Sequence, residues 1–352
     1  MLAPAGDRGM RPQASPAPPV LDVRDLDVVY ALTGGQQMRA VERLSFAIGR
    51  GQTLALVGES GCGKSSVAKA VMQLVPTAGG VIRLEGQALG PLGGDALKRL
   101  RRRFQMIFQD PISSLNPQRT VRQILEFPLK VNGLFDKSES ERRIRATLDI
   151  VGLDSQQMLG RYPHEFSGGQ CQRISIARAL ILDPVLLVCD EPVSALDVSV
   201  RAQVLNLLGE LRQRLGLSML FISHDLAVVR NVADCIAVMY LGRICEAGDA
   251  QHLLEHPAHP YTVALLSAVL HADPAVPPRR VALQGEMPSP LSLPTGCRFR
   301  TRCPGAQALC AAAEPALTAL ADGRQVACHF PYSVARPAAN ASAFFQPEDI
   351  AP

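Results

Sequence analysis

Thr53-Leu-Ala-Leu-Val57 runs directly into Gly58-Glu-Ser-Gly-Cys-Gly-Lys-Ser65, and an amphipathic stretch (Val67, Ala68, Ala70, Val71, Leu74) follows. Few architectures accept that succession. A strand apolar along its whole length must be buried on both faces, which a parallel sheet covered by helices provides. The glycines let the backbone curl so that its N–H groups share one centre, and the next helix adds its positive end. GxxxxGK[ST] between a strand and a helix therefore predicts a phosphate cradle. Gly58, Ser60, Gly61, Cys62, Gly63, Lys64, Ser65 and Ser66 are its expected lining. Lys64 is expected to reach the β and γ oxygens of a nucleoside triphosphate, and the Ser65 hydroxyl to ligate Mg²⁺. Cys62 reads as a loop filler rather than a nucleophile.

The rest of the 352-residue chain fits the same α/β class. From Leu21 to about Leu270, short β-like runs alternate with amphipathic stretches. Val185–Val188, Met219–Ile222 and Gln105–Phe108 are further candidate strands, and Ile174, Ala177, Arg178 and Ile181 have helical spacing. Hydrophobic residues make up 47%, enough for a sizeable core, and with no Trp that core must be filled by Val, Leu, Ile and Ala. The formal charge of 36 − 32 = +4 is mild and does not suggest a nucleic-acid partner. No apolar run approaches the ~18–20 residues that span a bilayer, so any membrane part has to come from another chain. Residues 1–19, rich in Pro, Ala and Gly, lack the apolar core of a secretory signal and are expected to be a disordered lead. Pro274, Pro277, Pro278, Pro288, Pro290 and Pro294 mark a linker over 271–296. A cysteine-bearing element over 297–330 and an Ala/Pro-rich flexible tail over 331–352 complete the chain.

Asp190 and Glu191 close the Val185–Val188 run, at the carboxyl end of a strand, where open α/β sheets bind ligands. Asp190 suits a Mg²⁺ contact, and Glu191 suits a base or water-orienting group for attack on a γ-phosphate. Ser223-His224-Asp225 ends another such strand. A lone histidine is more often structural or surface-exposed, but at a third strand end His224 is favoured as a γ-phosphate contact. Gln109 ends the Gln105–Phe108 run and by itself carries no chemistry.

Phe166-Ser167-Gly168-Gly169-Gln170 resembles the LSGGQ signature of ABC-transporter ATPases, with Phe in place of Leu. The order of phosphate loop, Gln109, signature, Asp190-Glu191, Ser194-Ala-Leu-Asp197 and His224 is similar to that family throughout 21–270. The resemblance implies a P-loop NTPase cassette over 20–270, with a mixed β core, an antiparallel β part and a helical subdomain at about 110–180, followed by a small C-terminal Cys-containing extension. It implies ATP and Mg²⁺ as cofactors, with Gln109 joining Ser65 and Asp190 at the metal, and Glu191, His224 and Gln109 as the catalytic group. Tyr30 would stack on adenine, although a tyrosine at a strand end is as often packing. Two cassettes would clamp two ATP molecules head to tail, Ser167, Gly168, Gly169, Gln170 and Asp197 of one facing the phosphate loop of the other. The helix opened by the glycines gives the physical reason: its positive end suits a γ-phosphate.

A narrower resemblance points to oligopeptide/dipeptide uptake. It is carried by Phe108-Gln-Asp-Pro-Ile-Ser-Ser-Leu-Asn-Pro117, Tyr162-Pro-His-Glu165, Pro260-Tyr-Thr-Val-Ala-Leu-Leu266 and Cys297-x-Phe-x-x-Arg-Cys-Pro304. Glu191–Asp197 and Tyr240-Leu-Gly242 look like the second of the two ATPase subunits of such systems. The implied partners are a second ATPase subunit in a heterodimer, two membrane permease subunits and an extracytoplasmic substrate-binding protein. The implied place is peripheral, on the cytoplasmic face of the inner membrane. Gln109 and Tyr162–Glu165 would meet the coupling helices of the permease.

Cys297, Cys303, Cys310 and Cys328 lack the C-x₂₋₄-C knuckle usual for structural zinc, so their spacing alone leaves metal binding and four reduced thiols equally open. Resemblance to the peptide-uptake branch implies a [4Fe–4S] cluster on these four, with His329 an alternative ligand. The rival function is a soluble ABC ATPase of DNA repair or translation. Lys98-Arg-Leu-Arg-Arg-Arg103 is the run that a phosphate-backbone patch would need, but a charge run is more often a solvated helix face. Residues 66–166 show no sustained heptads of the kind that DNA-repair relatives insert, and the chain holds one cassette where translation relatives hold two.

Overall fold

The computed structural model describes residues 18–90, 92–268 and 285–332. Most of the expected lead, linker and tail thus lies outside the described residues. In chain order the strands are β1 (Leu21–Ala31), β2 (Gln37–Ile48), β3 (Thr53–Val57), β4 (Gly79–Leu84), β5 (Gln87–Ala88) and β6 (Phe104–Ile107). They continue with β7 (Leu186–Asp190), β8 (Ser218–Ser223), β9 (Cys235–Tyr240), β10 (Arg243–Asp249), β11 (Thr318–Ala319) and β12 (Gln325–Val326). The helices are α1 (Lys64–Val71), α2 (Gly94–Arg101), α3 (Val121–Val131), α4 (Lys137–Ile150), α5 (Ser155–Met158) and α6 (Gly168–Leu180). They end with α7 (Val198–Leu215), α8 (Leu226–Val229), α9 (Ala250–Glu255), α10 (Pro260–Ser267) and α11 (Ala308–Ala312).

The main sheet has eight strands in the order β11-β12-β10-β9-β3-β8-β7-β6, and an antiparallel four-stranded sheet runs β2-β1-β4-β5. From β9 to β6 every pairing is parallel. The chain is therefore a mixed α/β fold with an antiparallel β part. β3, β7, β8 and β9 are buried at every residue, as their apolar composition demands.

Alternation of side chains splits the core in two. Ala55, Val57, Leu187, Cys189, Met219 and Phe221 face one cluster, where they meet Val121, Ile144, Ile174 and Val204 of α3, α4, α6 and α7. Their neighbours Leu54, Leu56, Leu186, Val188, Leu220 and Ile222 face the other, against Val67 and Val71 of α1 and Leu21, Val41 and Phe46 of the antiparallel sheet. The Lys98–Arg103 charges fall on and just after α2, which has no buried residue, so the run reads as a solvated face.

The cysteine element is joined to this sheet rather than set apart from it. β12 adds to the edge of β10, with Val326 opposite Glu246 and Gln325 opposite Ala247. The side chain of Arg324 is 1% exposed, and its guanidinium reaches Glu246 at 3.3 Å and Asp322 at 2.8 Å. Glu246, itself fully buried, also accepts the amides of Ala258 and His259 at 2.8 and 2.9 Å. Buried charge of this kind is tolerated because every member has a partner. Arg324→Met is accordingly expected to cost roughly 3–5 kcal/mol, since it leaves two buried carboxylates without their cation. A thermal melt should show the midpoint falling by several degrees; an unchanged midpoint would mean that this ion network adds nothing to stability.

Candidate nucleotide site

Four parallel strands end on one edge of the main sheet. In register, Val57 lies opposite Ser223, Asp190 opposite Ile222 and Ile107 opposite Cys189. The segments that follow these residues, Gly58–Ser66, Glu191, His224 and Phe108-Gln109, are therefore brought together by strand pairing alone.

Two glycines of the loop, Gly58 and Gly63, are required by close backbone approach. A Cβ on Gly63, at φ +109°, would lie 2.3 Å from the carbonyl oxygen of Ala40, and one on Gly58 2.2 Å from that of Met239. α1 begins immediately after Gly63. Lys64 is 4% exposed, and its Nζ donates to the carbonyls of Gly58 and Glu59 at 2.7 and 2.9 Å. The ammonium is thus held inside the curl of the loop. Cys62 is buried, and burial pushes its thiol up, which fits a filler and not a nucleophile. Ser60 and Gly61 are exposed at the loop's rim.

Ser65 Oγ donates to Asp190 Oδ1 at 3.0 Å. Burial raises the Asp190 carboxyl above the usual carboxylate range; the bond from Ser65 opposes the rise and the charge of Glu191 adds to it. Two oxygens side by side, one of them in need of positive charge, fit a hard divalent cation. Glu191 adopts φ +46°, a left-handed conformation uncommon for a side chain of this kind, and its N–H is tied to Ile222 O at 3.0 Å. That twist turns its carboxylate toward two neighbours. Gln109 Nε2 donates to Glu191 Oε2 at 3.2 Å, and His224 Nδ1 lies 3.2 Å from the same oxygen. Gln109, expected at the metal as well, has its amide on Glu191.

The remaining expected residues are placed separately. The Tyr30 hydroxyl donates to Ser66 Oγ at 3.2 Å, so the ring stands beside the start of α1. Ser167 caps α6, accepting from Gln170 N at 3.4 Å while Gln170 Oε1 accepts from Ser167 N at 3.1 Å, and Gly168 and Gly169 form the helix mouth. Among the described residues, no hydrogen bond links Ser167–Gln170 to the Gly58–Ser66 loop. Asp197 caps α7 through Val200 N at 3.0 Å and is exposed.

The tail cysteines come together. Cys297, Cys303, Cys310 and Cys328 line one cavity of about 170 Å³, with His259 and His329 on its wall. Burial pushes the Cys328 thiol up to about 11 and raises Cys297 and Cys303 as well, with the neighbouring thiols adding to the rise. In number and kind these donors suit a four-thiolate group. As placed, however, no three His, Cys, Asp or Glu side chains among the described residues are arranged to hold a metal ion. The expected cluster thus has a shared cavity but no preformed ligand set.

Two links escaped the sequence reading. Buried Gln172 of α6 donates to Pro192 O at 2.7 Å, tying the signature helix to the residue after Glu191. Arg201 of α7 pairs with Asp225 at 3.6 Å and donates to Leu196 O at 3.3 Å, joining the Ser194–Asp197 turn to the neighbour of His224. Both depend on contacts between distant segments, and no local pattern announces them.

Residues 41–194 match the family model described as ABC transporter, and residues 245–310 match that described as oligopeptide/dipeptide transporter, C-terminal region. The chain is 46% identical over 309 residues to the oligopeptide transport ATP-binding protein OppF of Escherichia coli, covering 85% of this chain and 92% of that one. It is 44% identical over 319 residues to the oligopeptide transport ATP-binding protein AppF of Bacillus subtilis, covering 88% and 97%. A putative peptide import ATP-binding protein of Brucella ovis is 48% identical over 310 residues, covering 88% and 97%. Among solved structures, cbiO1 of Clostridium perfringens, part of an ABC transporter complex, aligns with a TM-score of 0.60 at 26% identity, covering 67% of this chain and 91% of that one. The cassette MJ0796, in a dimeric post-hydrolysis state bound to ADP and Pi, aligns at 0.59 and 25%, covering 65% and 98%. The chain belongs to the ABC-transporter ATPases, in their oligopeptide/dipeptide group.

Proposed function

We propose that this chain is one of two ATPase subunits powering an importer of oligopeptides, dipeptides or a related small solute. The observation that carries the proposal is the meeting of Lys64, the Ser65–Asp190 pair and the Glu191–Gln109–His224 group on one sheet edge. The match of residues 245–310 to the oligopeptide/dipeptide C-terminal region favours uptake over a cassette of DNA repair or translation.

Phosphoryl transfer asks for positioning and charge neutralisation more than for covalent chemistry. The amides of Gly58–Ser66 would cradle the phosphates, and Lys64 would exchange a loop carbonyl for a phosphate oxygen. Tyr30 would carry the adenine. Held by Ser65 and Asp190, Mg²⁺ would supply positive charge to the β and γ oxygens. Glu191 would orient and deprotonate the attacking water, its carboxylate fixed by Gln109 and His224. The helix mouth at Ser167–Gln170, with Asp197, would serve the ATP bound by a second, related subunit, and that subunit would return the contact. Exposed Phe108 and Ile112, beside Gln109, offer an apolar footing for the permease subunits together with Tyr162–Glu165. Among the described residues no helix is long and apolar enough to cross a membrane. The chain would therefore sit peripherally, on the cytoplasmic face, beneath two permease subunits supplied by an external binding protein. Cys297, Cys303, Cys310 and Cys328 would hold a [4Fe–4S] cluster, which would cross-link a small element with little core of its own.

Glu191→Gln is expected to keep ATP binding and to slow hydrolysis by roughly 10²–10⁴-fold in a steady-state phosphate-release assay; near-normal turnover would remove Glu191 from its role. Lys64→Ala should abolish most of the thermal stabilisation that ATP confers. An ATP-induced shift as large as that of the parent chain would count against the cradle. Anaerobically isolated protein should contain about four irons per chain, lost on Cys303→Ser with Cys310→Ser. Zinc, or no metal, would remove the cluster and leave the ATPase proposal standing.

A further inference from the structure

The loop Gly58–Ser66 must receive a polyanion, yet its second residue is a glutamate, the one carboxylate in the segment. An acid there opposes the incoming charge unless something cancels it. In this fold the cancelling charge comes from far along the chain. Arg302, between the first two tail cysteines, places Nη1 at 3.0 and 2.9 Å from the two carboxylate oxygens of Glu59. Its side chain is 7% exposed, so the pair is shielded from water on the arginine side.

Glu59 is held at two further atoms. Its N–H donates to the Tyr261 hydroxyl at 2.8 Å, and its carbonyl accepts from Lys64 Nζ at 2.9 Å. Tyr261 is fully buried and packs on Tyr240 and on Phe299, a residue of the cysteine element, at centroid distances of 4.8 and 5.3 Å. A second arginine of the element works in parallel. Arg298 bonds to Glu42 and to Leu241 O, and the next residue, Gly242, donates to the loop carbonyl of Cys62 at 2.9 Å. The segment Cys297–Cys303 thus grips the phosphate loop from two sides, but only Arg302 touches a charge that belongs to the loop.

We propose that Arg302 is a positioning residue for nucleotide binding: by pairing with Glu59 it fixes the first turn of the phosphate loop and neutralises its only carboxylate. The inference rests on the loop being an ATP site. Arg302 does not touch the nucleotide; it sets the conformation and charge of the residue that also anchors Lys64. The arginine at this place is then a requirement of the cassette, and the tail is part of the nucleotide site by proxy.

The test is equilibrium binding of Mg·ATP to the full chain, followed by fluorescence or calorimetry under conditions of negligible turnover, with a thermal melt of each variant. Arg302→Gln is expected to raise Kd by roughly tenfold or more, because it leaves the Glu59 carboxylate unneutralised beside the incoming phosphates. Adding Glu59→Gln to it should bring Kd back to within about threefold of the parent chain, because the repelling charge is gone. Arg302→Lys should fall between, since a point charge does not reproduce the planar guanidinium. Should Arg302→Gln not fold, the lysine variant with and without Glu59→Gln carries the same comparison. A lowered melting midpoint with unchanged Kd would make Arg302 a merely structural clamp and overturn the proposal. So would a double variant as weak as the single one. Failure of the parent chain to bind ATP, or binding insensitive to Lys64→Ala, would instead overturn the ATP reading of the loop.

Discussion

A strand packed on both faces keeps no side chain for solvent, so whatever chemistry it supports has to happen where it stops. β3 sits between β9 and β8, its five residues all buried, and the same holds for β7 and β8 beside it. Because these strands are parallel, they stop on the same side. The phosphate loop, the acidic pair, His224 and Gln109 are neighbours for that reason and not because each is steered there separately. The two clusters on the faces of the sheet then do different work. One fastens α3, α4, α6 and α7, and so sets the signature helix; the other fastens α1 and the antiparallel sheet behind the loop.

The electrostatics of the edge follow from this crowding. Lys64 and Asp190 are buried and Glu191 is half-buried at the rim, and each is held by named partners: two carbonyls for the lysine, a hydroxyl for Asp190, an amide and an imidazole for Glu191. Asp190 is the member left wanting positive charge, its carboxyl raised by burial. The proposed Mg²⁺ would meet that want, and the serine that follows Lys64 is the residue whose hydroxyl is turned toward it.

What could be read from the sequence was whatever is local or fully apolar. Thr53–Val57 is β3 residue for residue, and Met219–Ile222 lies within β8, because burial on both faces writes itself as an unbroken run. The stripe Ile174, Ala177, Arg178, Ile181 marks α6 and the residue that caps it, since helical spacing is a local property. The chemical groups of the edge were legible through their motifs. The pairing of β12 with β10 was not: two residues show no period, and their partner is far away in the sequence. A proline-rich stretch before the cysteines suggested a separate appendage, while the buried ion network of Arg324, Glu246 and Asp322 makes that appendage the margin of the sheet. Glu59 and Arg302 escaped for the same reason, as oppositely charged residues on distant segments carry no sign that they meet.

Sheet closure by the tail has a consequence during synthesis. Arg324 and Val326 leave the ribosome well after Glu246 and β10, the groups they cover. In the interval the nascent chain presents a bare row of amides and carbonyls beside a carboxylate without its cation. Such an edge pairs with any strand within reach, another nascent copy included. Polypeptides that terminate before Arg324 would therefore keep that edge open and remain prone to adhere to one another.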